Sequence, residues 1–426
     1  MKLMYFHLMP YMDLPEDFAE KHESVWVDVN STLFDPRKAH HMYHEFISEL
    51  EHADAVGFDA ICVNEHHCNA YGMLPSPNLM ASTLARSTTN AAICVMGNSL
   101  ALYNPPTRVA EEFAMLDCLS GGRLIAGFPV GTPMDTCYAY GQNPSQLRQR
   151  YHEAHDLIMR CWTETEPFAF HGRFNQQRYV NPWPRPIQQP HPPVWIPGGG
   201  AVETWRWCAD VDYVYAYLSY YGYLAGQATM QGFWQEMKNL GKEPNPFRAA
   251  FLQFVGVAET EQEALDLYRE PAEYFYNRSL KVSPKYVAPP GYMTEATLRA
   301  RAQSQVAKLA GQTSGADAAG AGAAKVEGGG GPPSFEEMVE KGFVVIGSPD
   351  QVAEKLTTAI KDLHFGNLMV LLQYGNMRRD LATYNTDMFA KYVRPQIENI
   401  FENEWEHHWW PEPMSAADRV GGNPHE

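Results

Sequence analysis

The sequence predicts a single (β/α)8 TIM barrel with insertions at the C-terminal face of its strands. Three observations lead there. Short apolar runs alternate with amphipathic helical stretches, the rhythm of parallel strands joined by crossover helices. Eight such runs occur in 426 residues, with no break in composition to divide the chain. The first run is not followed by a G-x-G-x-x-G turn, which weakens the competing doubly wound dinucleotide fold.

The runs are residues 2–9, 59–63, 91–97, 123–128, 194–196, 212–218, 249–257 and 368–374. Between the first two, a helix over 38–56 places Tyr43, Phe46, Ile47, Leu50 and Ala53 on one face and stops at Gly57. A second helix covers 78–87. Pro105-Pro106-Thr107 opens a third, since proline at a helix start lacks only an N–H that would have no partner there, and Gly121-Gly122 ends it. A long helix follows over 145–163. A proline-rich loop, Asn181 to Pro193, then delivers the chain into Val194-Trp195-Ile196. The barrel is expected over 1–400. It includes a Gly/Ala-rich insertion at 310–333, too poor in apolar side chains to offset its ordering entropy and read as a lid. Residues 401–426 form a tail whose Glu406-His407-His408-Trp409-Trp410 is expected to dock on the body or on a partner subunit.

Composition excludes several classes. The net charge of −17 repels phosphate backbones and anionic lipid, so neither nucleic acid nor membrane is expected as a partner. The N-terminal run stops at Pro10, is interrupted by His7 and lacks a small-residue cleavage site, so it reads as a strand. The seven cysteines form no C-x-x-C pair, which fits reduced thiols in a cytoplasmic protein.

Chemistry in such a barrel sits at the C-terminal ends of the strands. Three segments fall there. In Asn64-Glu65-His66-His67, the histidines admit a general acid/base, a structural or a metal-binding reading. Neighbouring residues at a strand end point opposite ways, which disfavours a shared metal, and none is expected. Gly97-Asn98 marks an unusual backbone or a close approach to a ligand. Gly198-Gly199-Gly200 precedes a helix, where exposed N–H groups receive phosphate.

These segments, with others, carry a family resemblance. The chain resembles the bacterial luciferase-like flavin-dependent monooxygenases through Gly57-Phe58-Asp59, Glu65-His66-His67, Pro106 to Glu112, Leu116 to Leu124, Gly127, Gly131, Arg150 to Ala154, Trp162, Gln189 to Ile196 and Gly347 to Val352. The order and spacing of these blocks make the set specific. The resemblance implies a two-component enzyme. Its reduced FMN comes from a separate reductase and, with O2, oxygenates a small, mostly apolar organic compound by hydroxylation, Baeyer–Villiger insertion or oxidative ring opening. F420 is the alternative cofactor, for an F420-dependent oxidoreductase; a non-catalytic flavin-binding protein is the third reading. The family pattern makes His66 catalytic, with Glu65 or Asn64 orienting it. It assigns the cofactor to Glu65, Gly97, Asn98, Val130, Arg148, Arg150, Gly198, Gly199 and Gly200, with an unusual peptide at Gly97–Asn98. Luciferase carries an arginine where this chain has Val130, so Arg148 or Arg150 and backbone N–H groups must meet the phosphate charge. The aromatic first loop (Tyr11, Phe18, Trp26, Phe34) with Tyr71 and Met73 reads as an apolar substrate pocket. A homodimer or homotetramer is expected.

Overall fold

A computed structural model describes residues 1–295, 297–299 and 333–420. Eight parallel strands close into a ring: β1 (Lys2–Phe6), β2 (Ala60–Val63), β3 (Ala92–Val95), β4 (Leu124–Gly127), β7 (Val194–Gly198), β8 (Val214–Tyr217), β9 (Ala249–Val257) and β11 (Asn367–Leu371), which pairs back onto β1. Register is continuous around it. Tyr5 pairs with Ile61, Ile61 with Ile93, Ile93 with Leu124, Ala126 with Val194, Trp195 with Val214, Tyr215 with Ala249, Ala250 with Asn367 and Lys2 with Asn367. These strands are buried on both faces, because helices cover the outside and side chains fill the inside. That is why they read as unbroken apolar runs.

Local chemistry sets the element ends. The helix Pro36–Ala55 starts where the Asp35 carboxylate accepts from the N–H groups of Arg37 and Lys38. It buries Phe46, Leu50 and Ala53, as its periodicity predicts. The helix Thr107–Ser120 ends at Gly121, whose φ of 66° suits a residue without Cβ. Ser348 and Gln351 form a reciprocal cap on the helix Pro349–Leu363, which gives the Gly347 to Val352 block a structural meaning. Arg123 has one as well: its buried guanidinium donates to the carbonyls of Ala85, Thr88 and Ala91, and burial lowers its pKa to about 10.

Two features are absent from the sequence reading. An antiparallel hairpin, β5 (Phe168–His171) and β6 (Gln176–Val180), lies between β4 and β7. Its turn is held from outside, since the Glu153 carboxylate accepts from the N–H groups of Arg173, Phe174 and Asn175. A ninth parallel strand, β10 (Val344–Gly347), pairs with the far end of β9 from Phe254 to Val257, beyond the ring. The expected insertion at 310–333 lies outside the described residues, apart from Pro333.

The tail docks on the chain's own barrel. It crosses the N-terminal ends of the strands, opposite the expected site. Trp195 donates to the Trp409 carbonyl at 3.1 Å, Asn245 to the Glu406 carbonyl at 2.7 Å, and Lys2 lies over the Trp410 ring at 4.8 Å. Among the described residues no helix is long and apolar enough to cross a membrane.

Candidate active site

A cavity opens at the C-terminal ends of the barrel strands, with ≈ 1200 Å³ of empty space counting the open solvent at its mouth. Each nearby strand end contributes: Phe6 at the end of β1, Asn64, Glu65 and His66 after β2, Met96 after β3, Pro129 to Thr132 after β4, Pro197 to Gly199 at β7, and Leu218 and Tyr220 after β8.

His66 is held by a carboxylate. Its Nδ1 lies 2.9 Å from Asp135 Oδ2, and Asp135 is buried. The same carboxylate accepts from the Thr132 hydroxyl at 2.8 Å, the His67 N–H at 2.8 Å and the Asn69 amide at 3.0 Å. The His67 N–H and the Asn69 amide can only donate, and a carboxylate that accepts from His66 as well places the ring proton on Nδ1. Nε2 is then left with a lone pair. The ring sits edge-on to Tyr71, centroids 4.7 Å apart, and Tyr71 stacks on Trp26 at 4.0 Å. Gly72 permits this approach, since a Cβ there would lie 3.0 Å from His66 Cδ2.

Glu65 has a different task from orienting His66. Its carboxylate accepts from the Ser99 N–H at 2.6 Å and the Tyr103 hydroxyl at 2.7 Å, and meets His67 Nε2 at 3.0 Å. Burial and the Glu65 charge push the Tyr103 phenol pKa upward, so it stays a donor. The rings of the two adjacent histidines thus serve separate carboxylates. Asn64 does not orient His66 either; its amide donates to the His7 carbonyl at 3.2 Å.

Of the expected cofactor residues, the cavity brings together Glu65, Val130, Arg148, Gly198 and Gly199. No carboxylate pairs with Arg148 among the described residues. A Cβ on Gly198 would meet nothing within 4 Å, so the backbone there faces open space. Gly97, Asn98, Arg150 and Gly200 do not line the cavity. Gly97 packs on the backbone instead, where a Cβ would fall 1.8 Å from the Gly127 carbonyl oxygen. The Asn98 amide exchanges hydrogen bonds with Asn78. Arg150 lies over the Phe174 ring at 4.5 Å. The non-proline cis peptide is Met96–Gly97, one bond before the position expected. Of the aromatic first loop only Trp26 reaches the cavity; the Tyr11 hydroxyl donates to the Leu33 carbonyl, and Phe34 is exposed.

The sequence reading did not single out Asp135. The signal was present in Thr132-Pro133-Met134-Asp135, the spacing of a reciprocal cap, at the start of a short helical turn Met134–Ala139. It also passed over the strap across the mouth. Tyr292 donates to the Gly131 carbonyl at 2.8 Å, and burial pushes its phenol up to about 12. The Thr294 and Thr297 hydroxyls both donate to the Glu203 carboxylate.

A family model, luciferase-like monooxygenase, matches residues 26–365. The chain belongs to the luciferase-like monooxygenase family. A relative in that family's chemistry is the oxygenase component of a flavin-dependent trigonelline monooxygenase from Acinetobacter baylyi, 30% identical over 36% of this chain and 43% of that protein. The chain spans under half the length of the curated relatives it matches first. Among solved structures, the oxygenating constituent of the 3,6-diketocamphane monooxygenase of Pseudomonas putida, in complex with FMN, superposes with a TM-score of 0.66 at 19% identity, over 93% of this chain and 99% of that one. An F420-dependent secondary alcohol dehydrogenase superposes at 0.59 and 14% identity, over 93% and 98%. At these identities the superpositions establish the luciferase-like barrel and nothing finer.

Proposed function

We propose that this luciferase-like protein is the oxygenase of a two-component, FMN-dependent monooxygenase. It would work in the cytoplasm with a separate flavin reductase and oxygenate a small organic substrate. One observation carries the reading: a histidine fixed by a buried carboxylate lines the same cavity as an arginine with no carboxylate partner among the described residues.

The residues fit a flavin phosphate. Arg148 supplies a cation, and the open backbone at Gly198 and Gly199 before the helix Val202–Val211 offers N–H groups at close approach. Reduced FMN, when bound, supplies the electrons that activate O2. Phe6, Met96, Val130 and Leu218 keep the cavity apolar and exclude water. His66 Nε2 accepts or returns a proton beside the substrate, while Asp135 fixes its tautomer and steadies the charged form.

Anaerobic mixing with reduced FMN, followed by O2 and a candidate substrate, tests the reading. Oxygen uptake with oxygenated product is expected. Hydride transfer from reduced F420 without oxygen uptake would replace it by the F420-dependent alternative. Tight flavin binding with no turnover on any substrate would leave a flavin carrier. Arg148→Ala should weaken FMN about 10–100-fold, the worth of one charge-assisted phosphate contact, and leave riboflavin binding unchanged.

A further inference from the structure

Histidines crowd the outer face of the helix Pro36–Ala55, at His40, His41 and His44. The helix buries Ala39, Met42 and Phe46, so these three imidazoles are exposed. They lie apart from the cavity, which none of them lines. His40 and His44 have the i, i+4 spacing that sets two side chains one above the other on a helix. Their ring centroids are 4.8 Å apart, with the ring planes at 72°. Among the described residues neither ring has a hydrogen bond or an ion pair. The Ser48 hydroxyl donates to the His44 backbone carbonyl and leaves its ring free.

The separation of the two rings matches what a shared ion requires. A metal–nitrogen bond of about 2.0–2.1 Å places the ion about 3.2 Å from the centre of each imidazole. Two rings bound at about 90–110° to one another then have centroids about 4.5–5.2 Å apart. His40 and His44 fall inside that window. His41 does not make the second ligand for His40: their centroids are 5.3 Å apart, and neighbouring residues on a helix do not face each other. Both side chains of the pair lie in solvent, so each can turn a ring nitrogen toward the midpoint without disturbing the core. The net charge of −17 draws cations to the surface. We infer that His40 and His44 form a surface site for a divalent transition-metal ion of the Cu²⁺, Ni²⁺ or Zn²⁺ class, which imidazole suits. Two ring nitrogens hold the ion across one helical turn. Among the described residues no cluster of three or more His, Cys, Asp or Glu encloses an ion, so water fills the remaining positions. Ca²⁺ and Mg²⁺, which take oxygen ligands, are not bound there.

Cu²⁺ is the probe, since it binds nitrogen ligands tightest in this series. Calorimetric titration of the full chain reads its affinity, and electron paramagnetic resonance of the loaded protein counts the nitrogens around it. A first equivalent should bind ahead of any weaker sites, with two imidazole nitrogens in its equatorial set. His40→Gln and His44→Gln should each weaken that equivalent about 10²-fold, the gain from presenting two ligands on one frame, and leave one nitrogen in the spectrum. His41→Gln should change neither reading. The metal-free variants should melt with the wild type, because the replaced side chains are exposed. Should a glutamine variant melt lower, His40→Ala and His44→Ala repeat the measurement with the strongest helix former. The absence of a distinct first equivalent overturns the inference. So does wild-type affinity in either member of the pair, or a loss at His41→Gln equal to that at His44→Gln. Flavin binding enters none of these readings, so the result stands or falls apart from the oxygenase proposal.

Discussion

Glu65-His66-His67 and Glu406-His407-His408 are the same tripeptide at opposite ends of one barrel. The first follows β2 at the C-terminal face, and its first histidine, His66, lines the cavity against the Asp135 carboxylate. The second crosses the N-terminal face. There His407 donates through Nε2 to the Asn367 side-chain oxygen at 2.9 Å and stacks on Phe247 at 4.3 Å. The Asn367 amide already donates to the carbonyls of Phe247 and Ala249, so only its oxygen faces the ring. A carboxylate partner stabilises an imidazolium; a carboxamide in an apolar stack does not. Burial, aided by the positive charges of Lys2, His408 and the N-terminus, lowers the His407 pKa to about 3. The difference teaches that a Glu-His-His string carries no fixed chemistry. The surroundings give one copy a buried carboxylate partner at the cavity and make the other a structural wedge.

Substitutions at the two copies should separate these roles. The largest effect is expected at His66→Ala: turnover falls about 10²–10⁴-fold, the range for a lost general acid/base, with the melting temperature unchanged. His407→Ala should leave turnover per folded molecule at the wild-type level, and an equal loss at both would erase the contrast. Next is Trp409→Ala in the tail. This ring is buried and donates to the Asp212 carbonyl at 2.8 Å, so chemical denaturation should show a loss of about 3–5 kcal/mol with the site intact. Asp135→Asn should lower kcat by about 10²-fold through the wrong imidazole tautomer and reshape the kcat–pH profile. A purely structural Asp135 would cost stability and leave that profile alone.

The smallest effect concerns pH. The folded His407 pKa, about 3, lies below the ordinary 6.5, so the unfolded chain binds the extra proton first. Stability is therefore full above pH 6.5 and falls as pH drops from 6.5 towards 3. Between pH 7 and pH 5 this amounts to about 2 kcal/mol. Urea melts at the two pH values should show the loss in wild type and a smaller one in His407→Gln. An identical pH slope in both proteins would show that His407 is not the group responsible.

Much of this was legible in the residues. Seven or more consecutive βα units, the helix faces and caps, and the position of His66 at a strand end follow from periodicity and short-range chemistry, which act over a few residues. β10 was not legible, because four buried residues, Val344 to Gly347, look like any apolar loop until the far end of β9 pairs with them. Asp135 was hidden for a similar reason: 69 positions separate it from His66, and only the closed barrel brings the ends of β2 and β4 to one rim.

The same holds for the parts that the family pattern named and the cavity left out. Gly97, Asn98 and Arg150 were placed near the cofactor by their position along the chain, yet backbone packing, the Asn78 amide and the Phe174 ring take them up. Position along a strand says which end of the barrel a residue occupies, since each strand rises by a constant step. It does not say which neighbour satisfies the side chain, since that partner arrives from elsewhere in the sequence when the ring closes. So the strand-end address of both Glu-His-His strings could be approached from sequence alone, whereas the partner that gives each its chemistry, Asp135 for one and Asn367 for the other, was decided by closure of the barrel.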